Sequence, residues 1–328
     1  MRRPRRASAA TALFCLLLAA AGWSRPARAA DPLAISYVPG NAIGWDIDAA
    51  IAQGFFKADG FNAQPVTFQN AVQSTQLLIS GGVQLATGQL DPFISAVLHG
   101  PHQIAAIAAP ADRPGWFLTA RPGITKATDL KGKLVGTAAL QVGESWLTTD
   151  WLAAQGLASK DWALVVVGTS ALKLAALEHG SIGAAVLFQP LAIQAEQMGY
   201  PTLYRYYEGK PFPPVIYYVE RKWAVQNRHG LRLAHALQEA HRWLFDPHNR
   251  AAAIAVLKTF TKRGPPVLDA SYDLFIGKEK LLNADAAIDI AGVDNEIAVM
   301  TAHGAVPKGT RLAPEDYLLP KAEGGLYR

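Results

Sequence analysis

The sequence predicts an α/β protein of two similar lobes, each with a mostly parallel sheet flanked by helices, and a ligand cleft between them. Three observations predict it. Strand-like and helical runs alternate at intervals of ~30 residues, the spacing of the strand–helix–strand units that build parallel sheets. The alternation comes in two sets, which meet at Arg113-Pro114 and again at Lys210-Pro211-Phe212-Pro213-Pro214. The chain has 328 residues, 50% of them hydrophobic, enough for two domains of about 100–200 residues with separate cores.

The first 29 residues read apart from the rest. Arg2, Arg3, Arg5 and Arg6 form a charged start, and Ala9 to Ala21 is an apolar run too short to span a bilayer well. Ala27-Arg28-Ala29 is a small-x-small cleavage site. We therefore expect a signal peptide over residues 1–29, a mature chain starting at Ala30 or Asp31, and a secreted protein. The export route, general or twin-arginine, stays open. The formal net charge of +5 belongs to this leader, which holds six arginines and no acid. Beyond it, 25 basic residues face 26 acidic ones, so the footprint of a nucleic-acid partner is missing. The only cysteine, Cys15, also lies in the leader. The mature chain then has no disulfide, no thiolate metal site and no cysteine nucleophile, and relies on its core for stability.

Taken in order, Leu33–Val38 reads as the first strand. Pro39-Gly40-Asn41 is turn punctuation, with Asn41 capping a helix to Gln53. Gly54 falls where a helix C-terminal glycine would, and Phe55-Phe56 returns the chain to a core. Ala63–Phe68 is a second strand, Asn70 caps a helix ended by Gly81-Gly82, and Gln84–Thr87 is a third strand. Gly88-Gln89-Leu90 is a turn, and Asp91-Pro92 an N-cap with proline at the first helical position of a helix to His99. Gln103–Ala109 is a fourth strand. The second set runs through strands at 116–120, 134–137, 163–167 and 184–188. Gln141 to Ser145, Gly168-Thr169-Ser170 and Gln189-Pro190 each open a helix in it. Val215–Val219 is a strand that can return to the first sheet, and from His229 the pattern is helical. These readings divide the chain into residues 1–29, a first part of lobe 1 over 30–113, lobe 2 over 114–212, and a return to lobe 1 with C-terminal helices over 213–328.

Several stretches resemble one family in its order and spacing. Gln53 to Phe61 is similar to its helix-end motif, and Leu78 to Ala86 to its strand entry. Thr128 to Gly136 resembles the entry to its second lobe, and Leu177 to Val186 repeats the strand entry there. Together they cover roughly residues 33–220 and resemble the periplasmic solute-binding proteins of ABC importers of type II fold, in the nitrate, alkanesulfonate, taurine and pyrimidine-precursor group. The resemblance implies a monomeric extracytoplasmic protein that closes on a small-molecule ligand by a hinge and docks on membrane permease subunits. It implies no cofactor. Gln84 and Gly183 stand where the family usually has aspartate. The family's enzyme branch uses a cysteine-rich iron motif that a mature chain without cysteine cannot supply.

A cleft of this type needs helix N-termini, polar side chains and aromatic walls around a polar solute. The strand-to-helix turns offer Pro39, Gly40, Asn41, Gln89, Leu90, Gln141, Gly143, Glu144, Ser145, Thr169, Ser170 and Gln189. Trp45 and Trp146 are each either a wall or core packing, and Trp116 reads as structural. Tyr217 offers a hydroxyl to the cleft or is buried in the hinge. Glu144 either complements a helix dipole or faces the cleft, where it would favour a cationic or N–H donor group on the ligand. Three glutamine amides with no arginine at these turns suit an organic solute, such as a sulfonate, aromatic acid or heterocycle, better than a small inorganic anion. Enzyme signatures are missing: no G-x-S-x-G, no H-E-x-x-H, no P-loop and no dinucleotide fingerprint. His99 and His102 flank a Gly-Pro turn without a carboxylate cluster, so no metal site is expected. His229, His235 and His241, six apart, read as solvated.

Overall fold

The structure is a computed structural model that describes residues 29–37, 41–68, 71–100 and 103–328. The expected signal peptide falls outside the described residues but for Ala29, as do Pro39, Gly40, Asn70 and His102.

The first sheet is built from β1 (Asp31–Ser36), β2 (Phe61–Val66), β3 (Leu85–Gly88), β4 (Ile104–Ala108) and the late strand β10 (Ile216–Glu220). Between them lie α1 (Trp45–Ala52), α2 (Phe55–Ala58), α3 (Ala71–Ile79) and α4 (Leu90–His99). The second sheet holds β5 (Phe117–Ala120), β6 (Leu134–Thr137), β7 (Ala163–Val166), β8 (Ala184–Leu187) and β9 (Thr202–Arg205). Its helices are α5 (Gly143–Ala154), α6 (Ser170–Glu178) and α7 (Leu191–Gln197). The C-terminal third adds α8 (Arg221–Val225), α9 (His229–Phe245), α10 (Arg250–Thr261), α11 (Pro265–Tyr272), α12 (Ile290–Ala302) and α13 (Pro314–Tyr317).

The two sheets have the same plan, in the orders β2-β1-β3-β10-β4 and β7-β6-β8-β5-β9. Both are mixed. β1 runs parallel to β2 and β3, while β10 runs against β3 and β4. β6 runs parallel to β7 and β8, while β5 runs against β8 and β9. In each sheet the reversed strand is the first one after the chain crosses from the other sheet. A strand that enters at the boundary must run away from it, whereas the other four run towards it. The C-terminal ends of those four therefore face the boundary, where turns into helices can meet a ligand.

Some bounds differ from the sequence reading. β1 and β2 start earlier, at Asp31 and Phe61, because they pair in register along their whole length. The expected helix from Asn41 begins as a 3-10 turn, Ala42–Gly44, with the Asn41 side chain accepting from the Ile43 N–H at 3.3 Å. Gly54 has φ of +78°, the left-handed conformation expected of it. Gln84 replaces the family's aspartate by accepting from the Ala34 N–H at 2.8 Å. β9 has no counterpart in the sequence reading, since Thr202–Arg205 alternates weakly and all four residues are half-buried.

The C-terminal helices touch both sheets. α9 and α10 pack on α1 of the first lobe, and α11 packs on α7 of the second. Trp45, Phe117, Leu187, Ala192, Leu257 and Tyr272 share one core cluster as a result. Among the described residues no helix is long and apolar enough to cross a membrane.

Candidate ligand cleft

The strand-end turns and both crossings converge on a cavity of ≈ 40 Å³ between the sheets. Asn41 and Ile43 reach it from the turn after β1, and Gln89 from the turn after β3. Phe188 and Gln189 come from the turn after β8. Gly115 and Trp116 precede β5, Pro214 and Val215 precede β10, and Phe275 closes the ring from the segment after α11. The lobes touch beside it, where the Ala42 N–H donates to the Gln189 carbonyl at 3.3 Å. So three of the amide-bearing turn residues, Asn41, Gln89 and Gln189, are brought together.

Gln189 is the informative one. Its Oε1 accepts from the Ile193 N–H at 3.1 Å, which orients the amide. Its Nε2 is buried and meets no acceptor. A buried donor without a partner is costly, by about 1–3 kcal/mol, and a ligand acceptor would relieve that cost. The cavity's aromatic wall is Trp116 stacked on Phe188, with ring centroids 5.2 Å apart and planes 15° apart. Tyr206 and Phe212 meet Trp116 edge-on. Trp116, read from sequence as structural, is thus also a wall residue.

Behind Phe188 lies a charged pair. The Lys173 ammonium sits 4.9 Å from the Phe188 ring centre and 3.5 Å from Glu144 Oε1. Both side chains are buried, at 1% and 0% exposure. Burial lowers the Lys173 pKa, and Glu144 acts against that. The Glu144 carboxylate also accepts from the Thr137 hydroxyl at 2.6 Å and from the Ala138 N–H, while its Oε2 has no partner. Of the two readings of Glu144, the structure places it in the first turn of α5 and pairs it with Lys173. Lys173 escaped the sequence reading. The signal was there, since it lies among Leu174 and Leu177 on the buried face of α6, where a lysine needs a partner.

Other expected residues are placed elsewhere. Trp45 is fully buried in the shared core, and its Nε1 donates to the Ala253 carbonyl at 3.0 Å, so it packs rather than lining the cavity. Leu90 is a core residue of α4. Gln141 is exposed at the surface. Thr169 caps α6 by accepting from the Leu172 N–H, and Ser170 accepts from the Phe188 N–H at 3.0 Å, holding the wall residue. The Ser145 hydroxyl is turned inward, to the Ala139 carbonyl and Thr137. Gly143 packs under Phe212, and a Cβ there would lie 2.6 Å from that ring. Trp146 belongs to the first lobe's core cluster and stacks on His303, 5.9 Å between centroids.

The Tyr217 hydroxyl is buried and donates to Asp46 Oδ1 at 2.7 Å. Asp46 Oδ2 meets His241 Nε2 at 3.0 Å, and the Tyr37 hydroxyl donates to Asp48 at 2.8 Å. His241 is therefore part of a buried network, and His229 is buried and stacked on Trp223; neither is solvated as its spacing suggested. His235 is exposed and paired with Asp59. Among the described residues no group of histidines or carboxylates is arranged to hold a metal ion.

The alkanesulfonate-binding protein SsuA of Xanthomonas axonopodis pv. citri, bound to MOPS, is 16% identical. It superposes with a TM-score of 0.69 over 93% of this chain and 100% of its own. The periplasmic nitrate-binding protein NrtA of Synechocystis PCC 6803 is 14% identical, with a TM-score of 0.70 over 90% and 86%. The desulfurization enzyme DSZB is 16% identical, with a TM-score of 0.67 over 89% and 97%. At these identities the likeness is one of fold, that of the periplasmic binding proteins. No curated protein is similar enough to match. The family model described as NMT1-like matches residues 45–258, more than half of the sequence. The chain belongs to the NMT1-like family.

Proposed function

We propose that this protein is the extracytoplasmic solute-binding component of an ABC importer, exported by its 1–29 leader and working without covalent chemistry. It captures a small organic solute between two lobes, residues 30–113 with 213–328 and residues 114–212, and delivers it to a permease by opening and closing at the two crossings. The observation that carries this reading is the cavity between the sheets, with three amide side chains on its rim and a stacked Trp116–Phe188 wall. Amides supply donors and acceptors, and the stacked rings supply a flat apolar face. A ligand of mixed polarity with a planar or bulky apolar part, such as an aromatic acid, a heterocycle or an organic sulfonate, fits that chemistry. A bare inorganic anion does not use the aromatic wall.

The test is a thermal-shift screen across sulfonates, aromatic carboxylates, pyrimidines and nitrate. A cognate ligand should stabilise the protein by about 2.7 kcal/mol at 100 times its dissociation constant. A panel without any stabilising compound argues against the solute classes named here. The fold shared with a desulfurization enzyme keeps a second reading, turnover of the bound solute, in view. Mass spectrometry of the ligand after incubation separates the two, because a binding protein returns it unchanged.

A further inference from the structure

At the lobe boundary, Asp91 and Glu296 of lobe 1 are buried near Glu144 of lobe 2. Asp91, in the first turn of α4, is 4% exposed. The Gly143 N–H, at the start of α5 in the other lobe, is directed at its carboxylate. Glu296 on α12 is fully buried, and the Asp91 backbone N–H approaches it without hydrogen-bond geometry, so both its oxygens lack a partner. Glu144 is the third, and Lys173 is 3.5 Å from its Oε1. Lys173 is thus committed to Glu144. Around them α5 also presents Asp150, α12 presents Asp294, and His303 follows α12. His303 Nε2 meets Asp150 at 2.9 Å across the boundary, and Trp146 of α5 is wedged against His303. Tyr206 completes the shell through its hydrogen bond to Thr148 at 2.5 Å.

We propose that closure of the two lobes is coupled to proton uptake by the Asp91–Glu296 carboxyl pair, so that the closed form is a low-pH form that opens as pH rises. The proposal rests on the two-lobed hinge reading given above. In the closed form these carboxyls are buried, and Lys173 is committed to Glu144. Burial pushes Asp91 up to about 7, with Glu144 adding to the effect, and burial followed by the Asp91 charge holds Glu296 well above its ordinary range. Opened to solvent, both would ionise in the usual carboxylate range near 4. A proton held in the closed form and released in the open one favours closure fully below about pH 4. That advantage is lost as pH rises through about 7, by up to about tenfold in the closure constant per pH unit and proton. Ionised, the two would place like charges near each other in a dry interior.

The test is the distance between spin labels at Val72→Cys and Leu172→Cys, exposed positions on the two lobes, in a Cys15→Ser background. It is followed from pH 5 to pH 9. The wild-type background should shift from a short to a long distance across this range. Glu296→Gln with Asp91→Asn should hold the short distance at every pH, and Asp91→Asn alone serves if the double variant does not fold. His303→Gln should keep the wild-type profile, which separates the carboxyl pair from the His303–Asp150 contact. Trp146→Ala, which removes the wedge, should lengthen the distance at all pH values. A wild-type distance that ignores pH while Trp146→Ala opens the protein overturns the proton coupling alone. So does an unaltered pH profile in the folded carboxyl variants. A distance that never changes in any of them removes the hinge as well.

Discussion

Two groups of buried carboxylates in this molecule face opposite circumstances. Asp46 lies inside lobe 1, where the Tyr217 hydroxyl and His241 Nε2 meet its two oxygens, and neighbouring Asp48 accepts from the Tyr37 hydroxyl. Asp91, Glu144 and Glu296 lie where the lobes meet, and Glu144 Oε2 and both Glu296 oxygens have no partner. Asp46, with both oxygens partnered, ties the first group into one lobe. The second lies where α12 of one lobe packs on α5 of the other. Buried polar groups that are fully satisfied specify a structure, and unsatisfied ones mark where something else is to arrive or leave.

Substitutions separate the two groups. The largest effect should come from Lys173→Met, which leaves Glu144 buried and unpaired, at a cost of about 3–5 kcal/mol in urea unfolding at neutral pH. Adding Glu144→Gln should recover much of that loss. The next effect has the opposite sign. Asp91 has a folded-state pKa raised from 3.8 to about 7. Stability should therefore fall as pH rises through that window, and Asp91→Asn should be more stable than wild type at pH 8, by up to about 4 kcal/mol, and not at pH 4. Tyr217→Phe, in the satisfied network, should instead destabilise by about 1.5–3 kcal/mol because it strips a hydrogen bond from a carboxylate. If Asp91→Asn and Tyr217→Phe act with the same sign at pH 8, the distinction between the two groups fails. The smallest effect on stability should be that of Gln189→Ala, within about 0.5 kcal/mol, since it removes an unpartnered donor along with one hydrogen bond.

Much of this arrangement was legible in the residues. The alternating runs placed nine of the ten strands, and the proline-rich crossings marked where the chain changes sheets. Asn41, Gln89 and Gln189 were found because a polar residue at a strand-to-helix turn has few other places to point. Asp91 was misread. Before Pro92 it looks like an N-cap, but α4 begins at Leu90 and the Asp91 carboxyl turns to the other lobe's Gly143 N–H. Local capping rules cannot see a partner 52 residues away. Glu296 sits on a helix face otherwise made of Gly292, Val293, Ile297 and Met300, and that apolar setting was its only signal. Phe188, Val215 and Phe275 became wall residues through tertiary placement alone, since a strand-end phenylalanine packs in a core just as readily.

The central claim is that a small solute binds between the two sheets, against Gln189 and the Trp116–Phe188 wall. The most direct measurement is calorimetric titration of a ligand from the thermal-shift screen into wild type and Gln189→Ala side by side. The account predicts saturable one-site binding to wild type, affinity weakened about tenfold in the variant, and an unchanged melting temperature for the ligand-free variant. Equal affinity for the two proteins would contradict it.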